Sequence, residues 1–154
     1  HALLAPDAVD ALRSELLPLA TLVTPNLPEA AALLGVEPAT TEDEMVRQGQ
    51  ALLKTGARAV LMKGGHLPDA AASPDWLVDA NRTVRLDGPR VPVSNTHGTG
   101  CTLSAAIAAL LPRQSDLECA VREAKAYLTG AITASGRLDV GQGVGPVHHF
   151  HRWW

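Results

Sequence analysis

Hydrophobic positions recur at helical spacing in the first seventeen residues, where Ala8, Val9, Leu12, Leu16 and Leu17 share a face that Pro18 closes. Ala20 to Thr24 is a short apolar and β-branched run closed by Pro25, the pattern of a buried strand. Glu29 to Leu34 predicts a short helix ending at Gly35. Thr41 with Glu44 forms a capping box, and Met45, Val46, Leu52 and Leu53 give the helix behind it one apolar face down to Gly56. Arg58 to Lys63 reads as a second strand that breaks into Gly64-Gly65. The order strand, helix, helix, strand implies parallel pairing of the two strands.

Residues 67–75 carry loop composition, and Trp76–Ala80 with Thr83–Leu86, joined through Asn81-Arg82, predict a hairpin. Val91-Pro92-Val93 is an extended piece that Pro92 confines to an edge. A small-residue helix is expected over Thr102–Leu111, stopped by Pro112, then a longer one from Leu117 to Ala134 ended by Gly136, and a glycine-rich loop over Gly141–Pro146. Strands alternating with helices define an α/β chain, and ligands in such folds bind beyond the C-terminal ends of strands. Pro25–Glu29, Gly64–His66 and Thr96–Cys101 all follow expected strands, so they are expected to open on one edge of the sheet.

The strongest candidate is Gly98-Thr99-Gly100-Cys101 ahead of a helix. Glycines permit a tight turn, and the first N–H groups of a helix, at its positive dipole end, attract anions such as phosphate. The loop matches neither a Walker A motif, which needs Lys and Ser/Thr after its second glycine, nor the dinucleotide fingerprint, which needs Gly or Ala where Leu103 stands. A tight turn without a ligand is the competing reading. Cys101 lies either at the positive end of a helix dipole, where its thiolate is favoured, or in the core as a small hydrophobe. A thiol phosphatase would need Arg six positions on, where Ile107 stands. Cys119, among Leu117, Ala120 and Val121, is expected in the core.

Asn26 and Glu29 could orient the water shell of a magnesium ion, or Glu29 could simply be an acid at a helix N-terminus. Lys63 could meet phosphate oxygens or snorkel from a strand end. His148, His149 and His151 invite a metal reading, yet no carboxylate or thiol accompanies them, so packing or a solvated tail is preferred.

Composition narrows the function classes. The 154 residues are 46% hydrophobic and 3% aromatic, with 13 Lys+Arg against 16 Asp+Glu and a net charge of −3, so no basic field or stacking platform for nucleic acid is present. The longest apolar run, Ala105 to Leu111, is far short of the ~20 residues that span a bilayer. Pro6, Asp7 and Asp10 interrupt any signal-peptide core near His1, and two cysteines make no disulfide framework, which suits a reducing cytoplasm. An enzyme or small-molecule binder remains.

Thr24-Pro25-Asn26-Leu27-Pro28-Glu29-Ala30, Met62-Lys63-Gly64-Gly65-His66 and Asn95-Thr96-His97-Gly98-Thr99-Gly100-Cys101-Thr102-Leu103-Ser104-Ala105, with the closing Gly143–Val147 and His149-Phe150-His151, resemble the C-terminal part of the hydroxymethylpyrimidine/phosphomethylpyrimidine kinases of thiamine biosynthesis. The resemblance implies a ribokinase-like three-layer sandwich on a mostly parallel sheet. Residues 1–154 would be the nucleotide-binding and catalytic-loop portion of one domain, without the N-terminal part that forms most of the pyrimidine pocket. It further implies Cys101 as the base, where the wider superfamily usually has Asp, and Gly98, Thr99 and Gly100 as the anion hole. Asn26 and Glu29 would serve magnesium and phosphate, and Lys63, Gly64, Gly65 and His97 would belong to the ATP site. ATP, magnesium, a small pyrimidine substrate and a homodimer enter as implications of that resemblance. A pyridoxal-type kinase and a non-catalytic nucleotide-binding module are the competing functions.

Overall fold

The computed structural model describes residues 6–67, 72–93 and 95–154. Two compact units divide the chain after Asp87, and each is described by itself.

The first unit begins with α1 (Pro6–Ala11), which widens over Leu12–Leu16 and tightens over Leu17–Leu19. The single regular helix expected up to Pro18 is therefore only its first turns; Pro18 sits inside the tight last turn. α2 (Leu27–Leu34) and α3 (Glu42–Leu53) follow, both opened by complete capping boxes, Asn26 with Glu29 and Thr41 with Glu44. In each box the side chain at the cap accepts an N–H that the first turn would otherwise leave unpaired. Met45, Gly49 and Leu52 form the buried stripe of α3, at the spacing of one helical face.

β1 (Ala59–Met62), β2 (Asp75–Asp79) and β3 (Thr83–Leu86) form an antiparallel sheet in the order β1-β2-β3. The hairpin β2–β3 is the one expected, and Asp79 Oδ1 closes its turn by accepting from the N–H groups of Asn81 and Arg82. The mostly parallel sheet is not what forms. Among the described residues of this unit parallel pairing is confined to isolated bridges, Val23 with Val60 and Asn26 with Lys63, so the strand expected over residues 20–24 is a bridged segment instead. Pro25 supplies the reason: its carbonyl accepts from the Lys63 N–H at 3.0 Å, but with no N–H of its own it cannot donate the neighbouring rung. Part of the loop expected over 67–75, residues 68–71, lies outside the described residues.

Leu27, Met45, Leu52, Val60 and Met62 belong to the buried cluster of this unit, with Trp76 packed against it. Truncating Leu27, Met45, Leu52 or Met62 to Ala is expected to cost about 2–5 kcal/mol. The hairpin is fastened to α3 through Glu42, whose carboxylate accepts from Trp76 Nε1 at 2.9 Å and from Arg85 Nε at 2.7 Å. The Arg85 guanidinium, with the Trp76 N–H behind it, holds the Glu42 carboxyl below the usual carboxylate range.

The second unit is a pair of packed helices with an irregular frame around it. α4 (Thr99–Leu110) packs on α5 (Leu117–Thr133), and Leu103, Ile107, Val121 and Ala124 are buried. α4 starts three residues earlier than expected, so Gly100 and Cys101 are helical. Asp116 caps α5 by accepting from the Cys119 N–H, and the buried positions Ala120, Val121 and Ala124 turn Cys119 outward. Cys119 is exposed, which corrects its expected place in the core. Residues 91–93 pair with no other strand among the described residues.

Candidate functional site

In the first unit the end of β1 and the start of α2 lie side by side. The bridge between Asn26 and Lys63 sets the two segments in register, and Lys63 Nζ comes within 3.9 Å of Glu29 Oε2. Much of the polar capacity of Asn26 and Glu29 is already used. Asn26 Oδ1 accepts from the Glu29 N–H and Glu29 Oε2 from the Asn26 N–H, both at 2.8 Å. The reading of Glu29 as an acid at a helix N-terminus therefore holds, and what remains for a ligand is the other carboxylate oxygen of a half-exposed side chain. No group of three or more His, Cys, Asp or Glu able to hold a metal occurs among the described residues. That donor set fits a hydrated magnesium ion, which keeps several of its waters, better than a directly liganded one.

Lys63 is mostly buried, with about one fifth of its side chain exposed. Gly64 follows in a tight turn (Gly64–His66) where no other residue fits, because a Cβ there would overlap the Pro74 carbonyl. Gly65 is under no such constraint, since its Cβ would meet Ser73 Oγ at an ordinary 3.6 Å. The Gly64 N–H donates to Asp75 Oδ1 at 2.9 Å. Asp75 is 6% exposed, a buried carboxylate inside the stretch whose composition suggests a loop. Its signal is an acid standing immediately before the apolar run Trp76-Leu77-Val78.

In the second unit Gly98 precedes α4 with φ 83°, a left-handed conformation that glycine adopts freely. Its carbonyl accepts from both the N–H and the hydroxyl of Thr102 at 2.8 Å, which closes the first turn. Gly98 has no side chain to cap the helix, and the N–H groups of Gly100 and Cys101 meet no protein acceptor among the described residues. Cys101 is exposed beside them, which settles its alternative burial as a core hydrophobe. Unpaired N–H groups at the positive end of a twelve-residue helix can receive an anion, and the thiol in the same turn can take part in proton transfer. His97 is held by its backbone, its N–H donating to the Gly145 carbonyl at 3.1 Å in a bridge to Pro146. Asn95 Nδ2 donates to the Ser135 carbonyl at 3.0 Å and its side chain fills the space a Cβ on Gly145 would need.

The structure thus brings Asn26, Glu29, Lys63 and Gly64 together in the first unit, and His97, Gly98, Thr99, Gly100 and Cys101 in the second. Two of the closing histidines pack against aromatic rings, and His149 is exposed. His148 is buried with its ring 4.7 Å from that of Trp154, and His151 lies 5.3 Å from the Tyr127 ring.

Solved structures of small-molecule kinases of the ribokinase-like fold match the chain. Staphylococcus aureus pyridoxal kinase in complex with AMP-PCP and pyridoxal matches 99% of this chain and 56% of its own, at 33% identity and a TM-score of 0.90. Phosphomethylpyrimidine kinase from Clostridium difficile matches 86% of this chain and 52% of its own, at 37% identity and a TM-score of 0.72. Residues 1–148 match the phosphomethylpyrimidine kinase family, and the chain belongs to that family. The hydroxymethylpyrimidine/phosphomethylpyrimidine kinase of Salmonella typhimurium is 59% identical over 152 residues, covering 99% of this chain and 57% of the relative. The chain therefore spans little more than half the length of the curated relatives it matches.

Proposed function

We propose that this chain supplies the nucleotide-binding and phosphoryl-transfer residues of a kinase that phosphorylates 4-amino-5-hydroxymethyl-2-methylpyrimidine and then its monophosphate, with ATP as donor. The observation that carries the reading is the start of α4, where free N–H groups and an exposed thiol share one helical turn in a member of this family. ATP with magnesium, when bound, supplies the transferable phosphoryl group and neutralises part of its charge. The Gly100 and Cys101 N–H groups donate to the phosphoryl oxygens, where charge builds as the group moves. The substrate hydroxyl oxygen forms the new bond to phosphorus as the bond to the β-phosphate oxygen breaks, and the Cys101 thiolate accepts the hydroxyl proton. Lys63 presents its ammonium to phosphate oxygens, and Asn26 and Glu29 would hold magnesium through its water shell.

Phosphoryl transfer rests mainly on positioning and charge stabilisation, so loss of the base is the smaller effect. Cys101→Ala is expected to lower the turnover of the full polypeptide by about 10²- to 10⁴-fold with little change in ATP affinity. An equal loss of affinity and rate would refute the role. A pyridoxal-type kinase is favoured by one observation, the 0.90 TM-score to an enzyme of that name. Steady-state phosphorylation of hydroxymethylpyrimidine, its monophosphate and pyridoxal separates the two. Nucleotide binding by calorimetry without ADP release in that assay would support a binding module and refute the kinase reading.

A further inference from the structure

We propose that Asp75 is a positioning residue for Lys63: its buried carboxylate anchors the Gly64 peptide and so fixes the direction in which the Lys63 ammonium projects. The inference rests on the reading of Lys63 as a phosphate-binding cation. The β1–β2 register ends at Met62 opposite Trp76, and one further step sets Asp75 opposite Lys63. At that step the ladder is replaced by a side-chain bond, from the Gly64 N–H to Asp75 Oδ1. The Lys63 N–H points the other way, to the Pro25 carbonyl at 3.0 Å.

Lys63 is therefore held by the peptide on each side of it, one pinned to the segment leading into α2 and the other to β2. Two pinned peptide planes restrain φ −89° and ψ 117°, and with them the Cα–Cβ direction from which the side chain extends to bring Nζ to 3.9 Å from Glu29. The anchor is stiff. Asp75 lies in the central strand, paired with Leu86 of β3, and its neighbour Trp76 is tied to Glu42 of α3. A carboxylate is costly to bury without hydrogen-bonded partners, and a charged acceptor binds an N–H about twice as strongly as a neutral one. Nothing in the phosphoryl-transfer scheme uses Asp75 directly. Its place is one residue removed from the cation it orients.

The test is a double-mutant cycle read by calorimetry with ADP and magnesium, on Asp75→Ala, Lys63→Ala and the pair, with Asp75→Asn as the conservative rescue. Asp75→Ala is expected to weaken ADP by about tenfold, the scale of one buried hydrogen bond. Asp75→Asn, whose carbonyl oxygen can still accept, is expected within about threefold of the unsubstituted protein. The pair should be no weaker than Lys63→Ala alone, because Asp75 acts through Lys63. Additive losses, or unchanged affinity in Asp75→Ala while Lys63→Ala is weakened, overturn the inference and leave the nucleotide reading standing. Unchanged affinity in Lys63→Ala overturns that reading and this inference with it. Where circular dichroism shows Asp75→Ala unfolded, Asp75→Ser, too short to reach Gly64, carries the same comparison.

Discussion

Asn26 separates a structural duty from a ligand-binding one, because the structure accounts for it fully as a helix cap. Replacing it by Ala removes the bond from the Glu29 N–H to Oδ1 but spares the reciprocal bond, which uses the backbone N–H of residue 26 and Glu29 Oε2. One of the two cap bonds is lost, at an end of α2 held in place by Leu27, which is 1% exposed. Loss of an Asn cap costs about 0.5–2 kcal/mol, and with the opposite bond retained and water able to reach the freed N–H, about 1 kcal/mol is expected. Aspartate caps a helix as well as asparagine does, so Asn26→Asp should stay within a few tenths of a kcal/mol. Urea unfolding of the three proteins at neutral pH, read as a shift in midpoint at constant slope, measures both. Equal destabilisation by the two substitutions, or none by Asn26→Ala, would refute the cap account. If Asn26 also orients magnesium-bound water, Asn26→Ala weakens ADP in the presence of magnesium and leaves metal-free ADP binding unchanged.

Three further outcomes follow from the geometry. Gly64→Ala should destabilise the protein by about 1–3 kcal/mol or more, since its Cβ would overlap the Pro74 carbonyl, whereas Gly65→Ala should be nearly neutral; equal midpoints in urea would contradict this. Glu42→Gln should lower the melting temperature at neutral pH. Because Arg85 depresses the folded-state carboxyl below the unfolded value of 4.5, its stabilisation is complete above that pH and disappears as pH falls through the folded value. The gap in melting temperature between the two proteins should therefore close below pH 4.5, and a pH-independent gap would exclude the ion pair as its cause. Gly98→Ala should cost about 1–2 kcal/mol through its left-handed backbone, and Gly98→Asn less, as measured by thermal unfolding.

The helices are legible in the sequence because their signals are local. Thr41 with Glu44 is a four-residue pattern that reads as a capping box and forms one, whereas Asn26 with Glu29 forms a second box that starts α2 two residues ahead of the expected Glu29. The hairpin is legible for the same reason. The sheet is not, because strand direction depends on contacts far apart in the chain. Element order suggests parallel pairing of residues 20–24 with 58–63; those rungs exist along one edge of β1 until Pro25 interrupts them, while β1 pairs antiparallel with β2 along its other edge. Cys119 turns on a finer point. Of its apolar neighbours, Ala120 and Val121 lie in the buried stripe, Leu117 is half-buried, and Cys119 lies outside the stripe. Of the candidate site, the residue types and loops are readable, while Asp75 is hidden because an acid beside a loop looks solvated until the register is known.

Gly64 and Gly98 show why a glycine in a motif does not by itself mean a ligand. Gly64 has an ordinary backbone and no room, so its lack of a side chain serves the Pro74 crossing whether or not phosphate binds nearby. Gly98 has ample room, with nothing within 4 Å of where a Cβ would stand, and is needed for its φ of 83°. That conformation turns the chain sharply into α4 and leaves the helix start without a side-chain cap, so its free N–H groups meet no neighbouring hydroxyl or carboxylate among the described residues. Most helices commit those donors to a cap, as α2, α3 and α5 do here. A helix start kept open by a residue that cannot cap it, with a thiol exposed in the same turn, is where binding of an anion costs the fold least.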